Sequence, residues 1–369
     1  MKLAIVAGEA SGDLHASEVL HELRQLDPAL TAFGIGGDLL AAEGMTLLHH
    51  AREMGIVGLF NVIRHLGMFR RILRELIDRI AAERPDAVLL VDYPEFNMRV
   101  ARACRELGIR VIYYISPQIW AWRQGRVKLI AKLVDHMIVI FPFEEDFYRK
   151  HGVPVTYVGH PLVEQLDHVK RRANGAGETT VRLALMPGSR RMEIASLLPP
   201  MLDTVAILRR EIDIDAYVIQ APTISSAELE AIMSVHGGAV PIVAHDGGQA
   251  LADADVSLSS SGTATLESAI VGTPVVVMYK LSRANYLLGK LLVKVPYFSL
   301  VNIVAGDRVV PELLQREVEG KRIAVEVRKL LDPKHRATVT AALDGVRRKL
   351  GERGASRRAA QAIMDVIHR

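Results

Sequence analysis

Asp92 stands where an apolar run, Ala87-Val88-Leu89-Leu90-Val91, ends, and Tyr-Pro-Glu-Phe-Asn and a helical pattern follow it. Such a run between helical stretches reads as a buried parallel strand, so Asp92 sits at a carboxyl-terminal strand edge, where open α/β sheets place their ligand crevices. A carboxylate there is a candidate general base, because partial burial raises its pKa from about 4 toward the range where a base works. An aspartate that caps the next helix or ties down a turn is the alternative. A second carboxylate, Glu9, lies in the turn Gly8-Glu9-Ala10-Ser11-Gly12-Asp13, which opens a helix after the first apolar run. The unpaired amides of that helix start, with Ser11, Gly12 and Asp13, can hold an anion or a sugar hydroxyl, although a capped structural turn fits the same residues. The turn is neither G-x-G-x-x-G nor a Walker sequence.

Two further loops at predicted strand ends suit a nucleoside diphosphate. Met186-Pro187-Gly188-Ser189-Arg190-Arg191 brings together glycine, a hydroxyl and a guanidinium, whose planar fork matches phosphate. Ser259-Ser260-Ser261-Gly262-Thr263-Ala264 opens a helix with small residues, and Glu267, farther along that helix, can accept from both hydroxyls of a ribose. The triplet Asp253-Ala254-Asp255 has a spacing that can coordinate Mg²⁺ or Mn²⁺. It precedes a strand, however, and so lies at the wrong end of the sheet for the site, and no His-rich or Cys-rich ligand spacing exists; no metal is expected. Ser261 is no G-x-S-x-G elbow. His160, in Tyr157-Val158-Gly159-His160-Pro161, fits a structural role as well as a ligand contact.

The elements that position these residues alternate. Strands are predicted at 2–7, 31–35, 87–91, 110–115 and 136–140, with helices near 12–26, 58–83, 96–107 and 143–151. After the polar stretch 167–180 the alternation resumes: strands at 181–186, 215–220, 240–244, 255–259 and 274–278, helices at 193–210, 225–234 and 262–271. This rhythm predicts an α/β protein with two doubly wound halves: 1–166, a connection at 167–180, then 181–345. A basic helical tail, 346–369, caps the second half or crosses back to the first. At 369 residues, two domains are the default. A net charge of +4 and the absence of a basic block interleaved with aromatics give no nucleic-acid-binding composition. The single Cys104 forms no internal disulfide and falls in a helical pattern as core packing, which suits a reducing cytoplasm. The opening apolar run is too short for a signal peptide, and no run of about 18 apolar residues spans a membrane.

Two stretches are both apolar and basic. From Val62 to Ile80 apolar residues recur at 62, 66, 69, 73, 76 and 80, with Arg64, Arg70, Arg71, Arg74 and Arg79 among them. Such a helix can lie on an anionic bilayer, or pack as an ordinary helix on the sheet. Between Glu267 and Asp307 no acidic residue occurs, and Lys280, Arg283, Lys290 and Lys294 are spaced among Tyr286-Leu287-Leu288, Leu291-Leu292-Val293 and Tyr297-Phe298. Together they favour a peripheral protein with an acylated, anionic substrate.

The motifs GEASGD (8–13), VDYPEFN (91–97), YYISPQIWAWRQGR (113–126), FPFE (141–144), YVGHP (157–161), LMPGSRRMEI (185–194), SSSGTATLE (259–267) and SLVNIVAG (299–306) occur in this order. With them the chain resembles the lipid-A-disaccharide synthases almost end to end. The resemblance implies a GT-B architecture, two Rossmann-like domains with parallel sheets facing an interdomain cleft. It also implies transfer from UDP-2,3-diacylglucosamine to 2,3-diacylglucosamine 1-phosphate (lipid X), with inversion and without an essential metal or cofactor. On that footing Asp92 is the expected base and Glu9 its competitor. Ser11, Gly12, Asp13, Asn97, Trp122 and Arg123 are expected at the substrate, and Trp120 lines the same edge or packs. Gly188, Ser189, Arg190, Ser261, Gly262, Thr263, Glu267 and Asn302 are expected at UDP. The expected location is cytoplasmic, peripheral on the inner face of the inner membrane; a homo-oligomer is compatible with the sequence. A UDP-N-acetylglucosamine 2-epimerase would explain the nucleotide loops but not the lipid-friendly surfaces. A non-catalytic lipid-binding protein would leave Asp92 and those loops idle.

Overall fold

The computed structural model describes residues 1–55, 62–122, 124–172, 179–281, 286 and 295–369. The chain divides into two compact units, the first formed by Met1–Pro161 with Gly351–Arg369 and the second by Leu162–Leu350.

In the first unit, strands β1 (Lys2–Ala7), β2 (Thr31–Gly36), β3 (Thr46–His50), β4 (Ala87–Val91), β5 (Arg110–Tyr114), β6 (His136–Val139) and β7 (Val155–Tyr157) form a parallel sheet in the order β3-β2-β1-β4-β5-β6-β7. Leu3, Ile5, Val88, Leu89 and Leu90 are fully buried, as strands covered on both faces require. The order reverses direction between β1 and β4, which makes the space beyond their carboxyl ends the topological switch point. Ala7 pairs with Val91, so the turn at Gly8-Glu9 and the segment at Asp92 leave the sheet side by side.

The helix Val62–Glu83 turns Ile72, Leu76 and Ile80 into this core, with Met68, Phe69 and Leu73 packed against it. Arg70, Arg71, Arg74 and Arg79 are exposed. Over its described side chains the apolar stripe therefore packs as an ordinary sheet-covering helix does. The last helix, Ala355–Ile367, belongs to the same unit and packs on the helix Ala10–Leu26. Ala355, Ala359, Ala360 and Ile363 are buried there, Arg358 donates to the Val158 carbonyl at 2.8 Å, and Arg110 donates to that of Val366 at 2.9 Å.

The second unit repeats the plan. Strands β8 (Val181–Met186), β9 (Ile214–Ile219), β10 (Ile242–Val243), β11 (Val256–Ser260), β12 (Val275–Tyr279) and β13 (Glu312–Leu314) run parallel in the order β10-β9-β8-β11-β12-β13. Here the reversal falls between β8 and β11, with Met186 paired to Ser259. The two glycine-containing loops that leave these strands flank the switch point of their own sheet. Among the described residues no helix is long and apolar enough to cross a membrane. Most of the apolar-basic segment 280–298 lies outside the described residues.

Candidate active site

In the first unit Asp92 and Tyr93 both take left-handed backbone conformations, each with φ of 46°. Two consecutive non-glycine residues in that region cost of order 1–3 kcal/mol each, and the surroundings must hold them there. Asn97 does so, donating from Nδ2 to the carbonyls of Val91 (3.1 Å) and Asp92 (2.7 Å). The Tyr113 hydroxyl donates to the Asp92 carbonyl as well, at 2.5 Å, and the Asp92 amide donates to the Tyr114 carbonyl at 3.2 Å. Asn97 is fully buried, so it positions the loop from within. Gly8 is needed beside it: a β-carbon there would stand 2.7 Å from the Tyr93 ring.

The strained turn carries the Asp92 carboxylate out of the sheet without using it as a cap. The helix Pro94–Glu106 has Tyr93 at its N-cap, with no side-chain capping bond. Burial first, and the charge of Glu9 second, raise the Asp92 pKa to about 6; the Tyr93 amide and His15 pull the other way. Glu9 is exposed at the N-cap of the helix Ala10–Leu26. Ser11 is exposed in the first turn of the same helix, and its hydroxyl has no partner among the described residues. His15, one turn beyond Ser11 and among the groups that pull the Asp92 pKa down, is a residue that the motif reading passed over. Its signal was the i, i+4 spacing from Ser11, which puts both on one helix face.

Other expected contacts serve the fold. Asp13 is buried and accepts from the amides of Gly37 (2.6 Å), Leu39 (3.1 Å) and Leu40 (3.2 Å), so both its oxygens hold the start of the helix Asp38–Ala42. That removes Asp13 from the substrate contacts. Asp13→Asn puts an NH₂ against these amides and is expected to lower stability by about 2–4 kcal/mol in urea unfolding. Gly12 is buried as well, against Ala7 and Val91.

Trp120 is buried, donating from Nε1 to Glu144 at 3.0 Å and meeting Phe143 edge-on. Glu144, which the sequence did not single out, is fully enclosed, and burial pushes its pKa up to about 8. It holds Trp120 and the Phe141 amide, with the Ser116 hydroxyl also against it. His160 packs on Phe141, and burial pushes its pKa down to about 3, which keeps it a neutral core residue. The backbone of Trp122 ends the short helix Ile119–Trp122; Arg123 lies outside the described residues.

In the second unit Gly188 has φ of 120°, and a β-carbon there would reach the Glu193 carboxylate at 2.5 Å. The loop can thus fold over Glu193, whose oxygens accept from the Ser189 amide (3.2 Å) and from Arg190 (2.7 Å). Ser189 and Arg190 are exposed. Across the switch point Ser260 ends β11, and the amides of Gly262, Thr263 and Ala264, at the start of the nine-residue helix Thr263–Val271, have no acceptor among the described residues. The Ser261 hydroxyl is engaged by the Phe298 carbonyl (2.9 Å) and its amide by that of Met278 (3.0 Å), so Ser261 shapes the turn.

Glu267 is half-buried one turn into that helix; burial raises its pKa, and its carboxylate has no partner among the described residues. Asn302, expected near the diphosphate, is instead fully buried. Its Oδ1 accepts from the amides of Val309 (2.9 Å) and Val310 (3.0 Å), and its Nδ2 donates to the Val310 carbonyl (3.0 Å). An amide can close a loop on itself in this way, and with Oδ1 and one N–H so engaged and the side chain fully buried, Asn302 shapes the loop. Asp253 and Asp255 are likewise engaged, Asp253 by Gln249 (2.9 Å) and Asp255 by the Arg182 amide (2.9 Å) and Arg336 (2.9 Å).

Two Rossmann-like units, each with polar loops at its own switch point, define a GT-B-type protein. Solved structures with this fold include a putative UDP-N-acetylglucosamine 2-epimerase from Listeria monocytogenes, with a TM-score of 0.67 at 14% identity over 100% of this chain and 96% of that one. MurG from Acinetobacter baumannii superposes with a TM-score of 0.61 at 14% identity over 99% of each chain. At such identity the likeness concerns the fold alone. The family model described as lipid-A-disaccharide synthetase matches residues 3–366. A lipid-A-disaccharide synthase of Geobacter metallireducens is 42% identical over 99% of this chain and 97% of its own length. The chain belongs to the lipid-A-disaccharide synthase family, and it is a glycosyltransferase.

Proposed function

We propose that the protein transfers 2,3-diacylglucosamine from its UDP derivative to the 6-hydroxyl of 2,3-diacylglucosamine 1-phosphate, forming a β(1→6) disaccharide and UDP with inversion. The observation that carries this reading is Asp92. It is a carboxylate aimed out of a strained turn at a switch point, not used as a cap, with burial and Glu9 holding its pKa near 6.

Inversion by single displacement needs a base that takes the hydroxyl proton as oxygen attacks the anomeric carbon. Asp92 fills that role, and Glu9 with Ser11 orients the acceptor. As the anomeric bond breaks, negative charge grows on UDP. In this reading the amides at Gly262 and Thr263, the Gly188-Ser189 loop and Arg190 stabilise it; preorganised donors of this kind contribute about 3–4 kcal/mol each. Glu267 accepts from the ribose hydroxyls. The acylated substrates place the protein at the cytoplasmic surface of the inner membrane, as a peripheral protein.

Purified protein is expected to release UDP only when both acylated sugars are present; no release with both defeats the reading. The pH dependence supplies a second check. With Asp92 titrating near 6, kcat/KM should fall as pH drops through about 6, because the protonated acid cannot accept a proton. Glu9→Gln removes a negative charge that raises this pKa, so the acidic limb should move to lower pH. A limb that stays in place would separate Glu9 from Asp92.

A further inference from the structure

The helix Pro94–Glu106, the turn before Ile119 and the helix Val127–Leu133 enclose a groove of about 190 Å³ in the first unit. Its apolar lining is the partly buried Met98 and Leu129, backed by the core residues Ile119 and Ile130. Its wall is cationic, carrying Arg99, Arg102 and Arg126 against one carboxylate, Glu95. Arg126 is paired with that carboxylate at 2.7 Å. Arg99 and Arg102 lie three residues apart on one helix and are exposed, with no hydrogen-bond or ion-pair partner among the described residues. Two guanidinium groups thus stand uncompensated beside an apolar trough.

Solvated arginines need no trough, and a plain packing defect needs no arginines. A molecule that carries both a phosphate and a hydrocarbon chain matches the two together. Guanidinium forks bind phosphate oxygens bidentately, and the trough removes chain methylenes from water.

The location fits the same molecule. The helix begins at Pro94, two residues after Asp92, and at 1.5 Å per residue Arg99 and Arg102 lie about 8 and 12 Å along it. In the acceptor of the proposed reaction the C1 phosphate and the C5 hydroxymethyl that carries the reacting hydroxyl flank the ring oxygen, several ångströms apart, and the 2-acyl chain leaves the carbon next to the phosphate. We propose that this groove is the acceptor's phosphate and acyl subsite: Arg99 and Arg102 clamp the phosphomonoester, and the first methylenes of the neighbouring acyl chain lie on Met98 and Leu129. The assignment rests on the reaction proposed above.

The test is the double variant Arg99→Ala/Arg102→Ala in the full chain, assayed by UDP release in detergent micelles. Both side chains are exposed on a helix, and an unchanged melting temperature verifies the fold. The expected result is a 10- to 100-fold lower kcat/KM for the phosphorylated acceptor, with KM for the UDP-sugar within twofold of wild type. With an acceptor lacking the phosphate, variant and wild type should perform alike, and Arg99→Lys/Arg102→Lys should recover part of the loss. An unchanged kcat/KM for the phosphorylated acceptor overturns the inference, as does an equal loss with the phosphate-free one. Weaker sedimentation with phosphatidylglycerol vesicles but normal kinetics in micelles would assign the arginines to membrane headgroups, and also overturns it. Wild-type protein that releases no UDP from the two substrates would strike the proposed reaction itself, which keeps the two failures apart.

Discussion

Asp92→Asn is expected to lower kcat by about 10³–10⁴-fold while UDP binds within twofold of wild type, because loss of a positioned base typically costs 10²–10⁴ in rate. Asparagine is the informative replacement. It keeps the size of the side chain and is among the few residues that enter the left-handed region readily, so the φ of 46° survives and the Asn97 and Tyr113 bonds to the carbonyl persist. What disappears is the capacity to hold a proton. Alanine would also release the turn, and a lost rate would then say nothing about the base. Calorimetric titration with UDP, run alongside turnover of both acylated sugars, separates binding from chemistry. A variant with wild-type kcat removes Asp92 as the base, and Glu9 becomes the carboxylate to test.

Glu267→Gln should move two measurements in opposite directions. Its carboxylate is half-buried with no partner among the described residues, and burial raises its pKa. For an acid whose folded pKa is raised, the folded state prefers the proton. The penalty is therefore absent in acid and appears as pH rises through the folded pKa. At pH 7 the neutral amide avoids it, so the variant is expected to melt higher than wild type, with the gain vanishing in acid. UDP affinity should fall by about 10²-fold as charge-assisted bonds to the ribose weaken. A tighter-folding, weaker-binding variant marks a carboxylate kept for its ligand. If both quantities fall together, Glu267 supports the fold and is not a carboxylate kept for its ligand.

The strand ends that carry chemistry were legible because a parallel strand is buried on both faces and writes itself as an unbroken apolar run; β4 is such a run throughout, as are the carboxyl-terminal parts of β1 (Leu3–Ala7) and β8 (Leu183–Met186). β7, at the sheet's edge, and β13 are three residues each, and β3, at the other edge, is nowhere fully buried, so they left no comparable signature. Loop motifs located the switch points but not the job of each side chain. Asp13 and Asn302 stand inside motifs just as Glu9 and Ser11 do, yet they face inward and close loops on main-chain amides. A polar residue's direction depends on which neighbouring amides are left unpaired, and that is decided by tertiary structure. Glu144 was hidden for the same reason: only the fold surrounds it with Trp120, Ser116 and the Phe141 amide.

The first unit is assembled from both ends of the chain, and this sets an order of events during synthesis. Helix Ala10–Leu26 has its apolar cover in Ala355–Ile367, and Gly351 opens the returning segment beside Gly159 and Tyr157. On the ribosome about 190 residues separate Pro161 from Gly351, about 10–40 s of elongation at typical rates. Through that interval the helix Ala10–Leu26 of the nascent first unit lacks its final partner helix. The second unit, continuous from Leu162 to Leu350, can complete itself meanwhile. The nascent chain therefore finishes its later half first, and a chaperone that shields apolar helices has its window on the earlier one. A chain stopped at Leu350 is accordingly expected to retain a folded second unit and to lose protease resistance in the first, which limited proteolysis of the two lengths would report.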